Sequence, residues 1–108
     1  MRVKTTYGIY KDCWLEVGKY AYDSGPAITI CNGEDGAVAR ITVCIKHAGT
    51  MDESSSFVDT NNCPWAEDFI AEYELGEFAN AYQQSGFCTY PLYKFDMEQV
   101  WRYTRWGK

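Results

Sequence analysis

The sequence predicts an α+β fold, an antiparallel sheet of four or five strands with a central helix and a C-terminal helix. Three observations predict it. Runs of β-branched and aromatic residues fill the first half of the chain, and a cluster of turn residues joins two of these runs as a hairpin. Two later segments place apolar residues at helical spacing behind residues that favour a helix start.

Length and composition predict a single domain over residues 1–108. A chain of 108 residues can bury a core without disulfides or metals, and 46% apolar and 17% aromatic residues are too many for a disordered chain. Nine Tyr, five Phe and four Trp exceed what a core of this size needs. We therefore expect some rings to be exposed, where aromatic side chains favour contacts with partners.

The first half of the chain is predicted to form strands. Strand-type residues fill four segments, 7–10, 13–22, 27–31 and 37–46. The stretch NGEDG, residues 32–36, joins the last two as a hairpin. The return strand alternates, and we expect Ile41, Val43 and Ile45 to form its inner face.

A central helix is predicted to follow the polar loop 47–56. Residues 57–60 are read as a short strand or as the lead into this helix. Pro64 suits a first helical turn, with Asn62 or Cys63 at the N-cap. The apolar face would contain Trp65, Phe69, Ile70 and Tyr73, and Gly76 would end the helix.

The last third is predicted to contain a strand and the second helix. Residues 77–83 fit neither pattern clearly. Residues 85–95 read as a strand in which Pro91 indicates an edge position or a bulge. Asp96 is a cap candidate for a helix over 96–106, in which Val100, Tyr103 and Thr104 have helical spacing.

Acidic residues are concentrated in one part of the chain. The formal net charge is −5, and no Lys or Arg occurs between Lys46 and Lys94. Eight acids fall within residues 51–77: Asp52, Glu53, Asp59, Glu67, Asp68, Glu72, Glu74 and Glu77. The helix dipole favours Glu67 and Asp68 in the first turns but disfavours Glu72, Glu74 and Glu77 near the C-terminal end. A solvated helix face is the simplest interpretation, and a surface for a basic partner is the functional one.

The residues give little sign of catalysis, metal binding or a cofactor. The five cysteines are odd in number and form no CxxC pair, which excludes zinc-ribbon and thioredoxin readings. The only histidine, His47, would have to serve any Cys–His or Ser–His–Asp site, and Cys44 is its nearest thiol. Residues 59–62 could bind calcium, but turn hydrogen bonding is the better interpretation. We predict no enzyme, no metal and no cofactor.

The cellular setting is predicted to be the cytoplasm. The chain has no apolar run of 18 residues and no signal-peptide pattern at its start, so we expect reduced thiols and no membrane association. Basic and aromatic residues mix near both ends: Arg2, Lys4, Trp101, Arg102, Tyr103, Arg105, Trp106 and Lys108. A sequence pI of about 4.7 nevertheless disfavours direct nucleic-acid binding.

Whole segments of the chain resemble a known group of proteins. The strings FVDTNNCPWAEDFI and LGEFANAYQQSGFCTYPLYKFD, after an LEVGKYAYDSGPAITI…GAVARITVCI hairpin, are similar to small accessory proteins of phages, plasmids and conjugative elements from Gram-positive gut bacteria. The similarity covers roughly residues 13–96. It transfers no functional residue. It implies a mobile-element protein, a class that includes inhibitors of host defence such as anti-CRISPR proteins.

Three functions are therefore considered before an enzyme. The first is a non-enzymatic inhibitor that binds a host immune protein such as a CRISPR nuclease. Its surface would comprise Asp59, Trp65, Glu67, Asp68, Glu72, Tyr73, Glu74 and Glu77, with Phe78 beside it.

The second is a protein that sequesters a nucleotide immune signal. This function would use Trp101, Arg102, Arg105 and Trp106. The third is a non-inhibitory plasmid or conjugation accessory protein. A homodimer is a further expectation, because exposed rings and an edge strand near Pro91 would favour self-association.

Overall fold

The computed structural model describes residues 1–21, 25–45 and 52–105, and the fold is α+β. Within these residues the elements, in chain order, are β1 (Val3–Thr5), β2 (Gly8–Tyr10), β3 (Trp14–Lys19), β4 (Pro26–Asn32), β5 (Gly36–Arg40), β6 (Thr42–Val43), β7 (Ser55–Val58), α1 (Ala66–Glu72), β8 (Gly76–Ser85), β9 (Cys88–Phe95) and α2 (Met97–Arg102). The expected central and C-terminal helices are α1 and α2. His47 and Trp106 lie outside the described residues, as do residues 47–51 of the predicted loop 47–56 and the end of the predicted C-terminal helix.

The strands form three antiparallel sheets, so the prediction of one sheet of four or five strands is wrong in its arrangement. The sheets have the strand orders β1-β2, β3-β4-β5 and β6-β7-β9-β8. One core holds them together, because side chains from each sheet and from both helices belong to the same buried cluster. Fully buried members include Val3, Ile28, Ile30, Val58, Ile70, Leu75 and Val100.

The predicted return strand is divided between two sheets at Ile41. Residues before it pair with β4, and residues after it pair with β7. The amide of Ile41 donates to the carbonyl of Ile28 at 3.0 Å, and its own carbonyl accepts from the amide of Asp59 at 2.8 Å. Because Ile41 is fully buried, its backbone groups need these partners, and they link the two sheets.

This division also changes which side chains face inward. Ile41 and Ile45 are buried as predicted, whereas Val43 is only partly buried and Thr42 is buried in its place. The hydroxyl of Thr42 accepts from the amide of Ile28 at 3.0 Å. A buried hydroxyl with such a partner avoids the cost of lost hydration, which explains how a polar residue replaces the expected apolar one.

Helix α1 begins later and ends earlier than predicted. Its N-cap is Trp65, which makes no side-chain cap hydrogen bond, so the prediction of Asn62 or Cys63 is wrong. Asn62 is held in the preceding turn instead, with its amide nitrogen donating to Asp59 Oδ1. At the other end, Tyr73 is the C-cap and Glu74 takes a left-handed conformation with φ 55°.

Gly76 does not end α1, as the sequence suggested, but begins β8. A Cβ atom at this position would lie 2.7 Å from the carbonyl oxygen of Lys94 and 3.0 Å from Cα of Phe95. Such contacts are too close for any residue with a side chain. The glycine is therefore required by the close approach of β9.

Strands β8 and β9 form a long hairpin that includes the segment without a clear pattern. A two-residue turn joins them, since Ser85 pairs with Cys88 and Gly86 has φ 62°. The pairing of β7 with β9 ends at Leu92, and the register of β8 shifts between Phe78 and Tyr82, opposite the same region. Pro91 thus lies beside a bulge, as expected. Its strand, β9, lies between β7 and β8 and is paired with β8 alone before Leu92.

Helix α2 begins as predicted and is shorter than predicted. The Asp96 carboxylate accepts from the amide of Gln99 at 3.2 Å, which confirms it as the N-cap. The helix ends at Arg102, after which the carbonyl of Tyr103 accepts from the amide of Leu15. Neither helix in the described part of the chain has the length and apolar character needed to cross a bilayer.

Candidate partner-binding surface

The acids of α1 lie together on its solvent-exposed side. Ala66, Phe69 and Ile70 are buried, and the helical repeat of about 3.6 residues places the neighbouring positions on the opposite side. Three of those exposed positions are acidic, Glu67, Asp68 and Glu72, and we name them the acidic face. Part of the acidic tract of the sequence is therefore one surface.

Two acids at the start of the tract neutralise lysines elsewhere. Asp52 Oδ2 lies 3.0 Å from Lys94 Nζ, and Glu53 Oε1 lies 3.2 Å from Lys19 Nζ. The hydrogen bond from Lys94 lowers the pKa of Asp52, and bonds from Ser55 and Ser54 lower it further. These two carboxylates form exposed surface contacts and do not belong to the acidic face.

Asp59 is placed in a turn, away from the acidic face. Its side chain is only 8% exposed, and its two carboxylate oxygens accept from the amide and from Nδ2 of Asn62, at 3.1 and 2.9 Å. The expected turn hydrogen bonding is confirmed. Asp59, one of the eight predicted partner-binding residues, is therefore buried and hydrogen-bonded within its own turn, so it is not available to a partner.

Apart from Glu67, described below, four exposed acids of the tract have no basic partner among the described residues. Asp68, Glu72, Glu74 and Glu77 are exposed, and none forms an ion pair with another residue in the described ranges. Asp68 and Glu72 are four positions apart on one helix, a spacing at which like charges cost about 0.2–0.5 kcal/mol. Glu72 also lies in the last turn of α1, where no basic residue offsets it. Fold stability therefore does not explain these acids.

A surface groove lies between the end of α1 and the β8–β9 pair. It has a volume of about 610 Å³, and Ala71 of α1 lies on its wall with the acids Glu74, Glu77 and Asp96. Lys94 also lines the groove and faces Glu77 across the β8–β9 pair. Since its Nζ is bonded to Asp52, this lysine leaves the acids of the groove largely uncompensated.

Glu67 is the one member of the acidic face with a defined partner. Its Oε2 accepts from the Tyr93 hydroxyl at 2.6 Å. Tyr93 is buried in β9, and burial raises its pKa, with the hydrogen bond to Glu67 raising it further. This bond fastens α1 to the sheet and fixes where the Glu67 carboxylate points.

Trp65 and Tyr73, predicted as aromatic contacts for a partner, pack against the buried Phe69 of α1. Both are half-buried, and their rings flank Phe69, with centroid separations of 6.2 and 5.4 Å. The Tyr73 hydroxyl also donates to the carbonyl of Arg2. These rings therefore present only part of their surface to a partner.

Tyr82 of β8 is an exposed ring that was not predicted from the sequence as a contact residue. It is linked to Glu67 of the acidic face through the rings of Phe78 and Tyr93. It is 65% exposed and lies 5.1 Å from the half-buried Phe78, which in turn lies 6.0 Å from Tyr93. Phe87, at the tip of the hairpin, is also fully exposed. The Gly-Phe pair at 86–87 was the signal for this hairpin, because glycine favours the first central position of a type II′ turn.

The residues predicted for a nucleotide are only partly brought together. Trp101 is 53% exposed and shares a groove of about 320 Å³ with Arg105, whose guanidinium carbon lies 5.0 Å from the centroid of the Trp14 ring. Arg102 points to Glu98, with 3.8 Å between the charged atoms. Trp106 lies outside the described residues.

These features define a class, a small α+β protein with an acidic surface flanked by aromatic side chains. A family model described as a domain of unknown function (DUF4313) matches residues 14–107, and the chain belongs to this family. No curated protein and no solved structure matches the chain. Within the described residues, no group of three His, Cys, Asp or Glu side chains is arranged to hold a metal ion.

Proposed function

We propose that this protein is a counter-defence protein of a phage or other mobile element. It acts without catalysis, by binding a host immune nuclease, of which a CRISPR nuclease is the leading example. The observation that carries the proposal is the set of exposed acids on α1 and in the adjoining groove that have no basic partner among the described residues.

The chemistry of the surface indicates the chemistry of the partner. Channels that hold nucleic acid are lined by Lys and Arg, and carboxylates in a fixed arrangement can take the place of phosphates there. Asp68 and Glu72 supply two such charges on one helix, and the hydrogen bond from Tyr93 orients Glu67 beside them. Binding at this surface would block access of nucleic acid to the nuclease.

Aromatic side chains beside the acids would supply apolar contact. Tyr82 is the most exposed ring on this side, and rings of this kind commonly dominate binding energy at protein interfaces. Lys and Arg stems also pack well against aromatic faces. The same exposed rings, with β8 at the edge of its sheet, are compatible with the homodimer predicted from the sequence.

The proposal is tested by recovering the partner and assaying it. The tagged protein is incubated with lysates of defence-bearing bacteria, and bound material is washed at low and at high salt. We expect a nuclease subunit that is lost at high salt and whose cleavage activity is inhibited by the purified protein. If every recovered nuclease cleaves at its normal rate when the protein is saturating, the proposal is wrong.

A second candidate function is sequestration of a nucleotide immune signal. The pairing of the exposed Trp101 with Arg105 in one groove favours it, because a base can stack on the ring while the guanidinium contacts a phosphate. This function predicts a thermal shift with cyclic dinucleotides or ADP-ribose derivatives that Arg105→Ala abolishes. The absence of a thermal shift with every ligand of the panel would rule out nucleotide sequestration. A non-inhibitory plasmid or conjugation role is the remaining alternative.

A further inference from the structure

A groove on another side of the molecule combines aromatic walls with polar groups. Its volume is about 390 Å³, within the range of small-molecule sites. Four separate segments build it: the β1–β2 hairpin, the end of β5, the turn after β7, and Trp65. Convergence of distant segments on one concave site is typical of ligand binding, and neither the acidic face nor the groove at Arg105 uses this region.

Three rings line the groove. Tyr7 and Tyr10 come from the β1–β2 hairpin, and Trp65 precedes α1. Tyr7 is 88% exposed although it lies in a turn that Thr5 fixes, since the Thr5 hydroxyl accepts from the Tyr7 amide and donates to the carbonyl of Gly8. An ordered turn that holds a large ring in solvent gives the fold no burial energy, but it gives a planar ligand a stacking surface.

The polar groups of the groove come from two segments and differ in kind. Arg40 is exposed at the end of β5, and its Nε donates to the hydroxyl of Thr29 at 3.2 Å. This bond orients the guanidinium, and its terminal nitrogens have no bond to another described residue. The turn after β7 contributes the exposed amide of Asn62, whose Nδ2 donates to the buried Asp59 carboxylate at 2.9 Å.

We propose that this groove binds a planar heteroaromatic ring that carries a phosphate, the chemistry of a nucleoside monophosphate. The ring stacks among Tyr7, Tyr10 and Trp65, and the phosphate contacts Arg40. The side-chain oxygen of the exposed Asn62 accepts from an N–H group at the edge of the base. This site does not depend on the proposed inhibition of a nuclease.

The test measures binding of AMP, GMP, CMP and UMP to the full chain by ligand-observed NMR and calorimetry at millimolar concentration. We expect saturable binding of at least one nucleotide. Its nucleoside and ribose 5-phosphate, which each lack one of the two recognised groups, should bind at least about tenfold more weakly. The absence of saturable binding by all four nucleotides would overturn the proposal, as would a nucleoside that binds as tightly as its nucleotide.

Variants locate the site. Tyr7→Ala and Arg40→Ala should each weaken binding about tenfold, whereas Tyr7→Phe keeps the ring and should bind normally. Ile9→Ala, on the same hairpin, and Arg2→Ala, another exposed arginine, are matched controls outside the groove. All the replaced side chains are exposed, so folding should be kept, and thermal unfolding checks it. Binding that survives both Tyr7→Ala and Arg40→Ala, or that is lost in a control, would overturn the assignment.

Discussion

The hydrogen bond between Tyr93 and Glu67 connects the stability of the fold to the proposed binding surface. One partner is buried in the sheet and the other is an exposed acid of α1, with 2.6 Å between the oxygens. The hydroxyl donates and the carboxylate accepts, so the bond is charge-assisted and stronger than one between neutral groups. Neither residue stands out in the sequence as the other's partner, since they are 26 positions apart.

Replacing Tyr93 by Phe should destabilise the protein by about 1 kcal/mol at neutral pH, because the ring remains and one hydrogen bond is lost. The pKa of Tyr93 is raised in the folded protein, chiefly by burial. Its contribution is therefore complete below the ordinary tyrosine pKa of about 10 and is lost as the pH rises above that value. Urea unfolding at several pH values should thus show a shallower alkaline loss of stability in Tyr93→Phe.

Tyr7→Phe is the matched control, since Tyr7 is 88% exposed and its hydroxyl has no bond to another described residue. Its unfolding curves should coincide with those of the wild type at every pH. An unchanged stability of Tyr93→Phe, or an unchanged alkaline slope, would contradict the role given to this bond.

At the scale of elements, the pairing of β9 with the start of β8 positions the groove beside α1. Gly76 lies where β8 leaves the turn after α1, and Glu77 follows it on the groove wall. The backbone of Lys94 and Phe95 approaches too closely for a side chain at position 76. The geometry of the acidic groove therefore depends on a glycine that the sequence suggested only as a helix end.

Gly76→Ala should destabilise the protein by roughly 2 kcal/mol, because either β9 must shift or the two strands must separate locally. Gly18→Ala is the control: its Cβ would meet only Ala27 Cβ, at 3.8 Å, which is an ordinary contact. That substitution should be neutral or slightly stabilising, since it restricts the unfolded chain. Denaturant unfolding compares the two, and equal stabilities would show that β9 does not constrain position 76.

The elements that the sequence predicts well are those that local chemistry decides. The β4–β5 hairpin follows from its turn residues, and the start of α2 follows from Asp96. The division of the return strand at Ile41 was not predictable, because it depends on backbone partners in two sheets. The cap of α1 was mispredicted for a related reason: Asn62 forms a turn with Asp59 and cannot cap the helix as well.

The candidate surface shows the same limit. Composition and spacing indicate a run of acids and a helix, but they do not indicate which of the acids share a face of that helix, because this depends on how the helix packs. They do not indicate that Asp52 and Glu53 meet distant lysines, or that Asp59 is buried in a turn. Those outcomes depend on contacts between segments far apart in the chain.

At the scale of the whole molecule, the charge is unevenly distributed. The formal net charge is −5, yet every Lys and Arg of the chain lies at or before Lys46 or at or after Lys94. In the fold, Asp52 and Glu53 pair with lysines, and Asp59 is buried. The other five acids of the tract remain exposed on α1, in the turn after it and at the start of β8. A surface of this kind attracts a basic partner over distances of about a Debye length and repels nucleic acid itself.

We propose that this surface binds a nuclease in place of nucleic acid. The most direct test measures inhibition of the captured nuclease by the wild type and by Asp68→Lys/Glu72→Lys. These acids are chosen because neither has an ion-pair or hydrogen-bond partner among the described residues, so folding should be retained. Glu34→Lys/Glu98→Lys makes the same change in net charge elsewhere on the surface.

We expect the α1 double variant to unfold at the same temperature as the wild type but to inhibit at least about tenfold more weakly, and the Glu34/Glu98 control to inhibit normally. An α1 double variant that folds and inhibits as well as the wild type would show that these acids do not bind the nuclease.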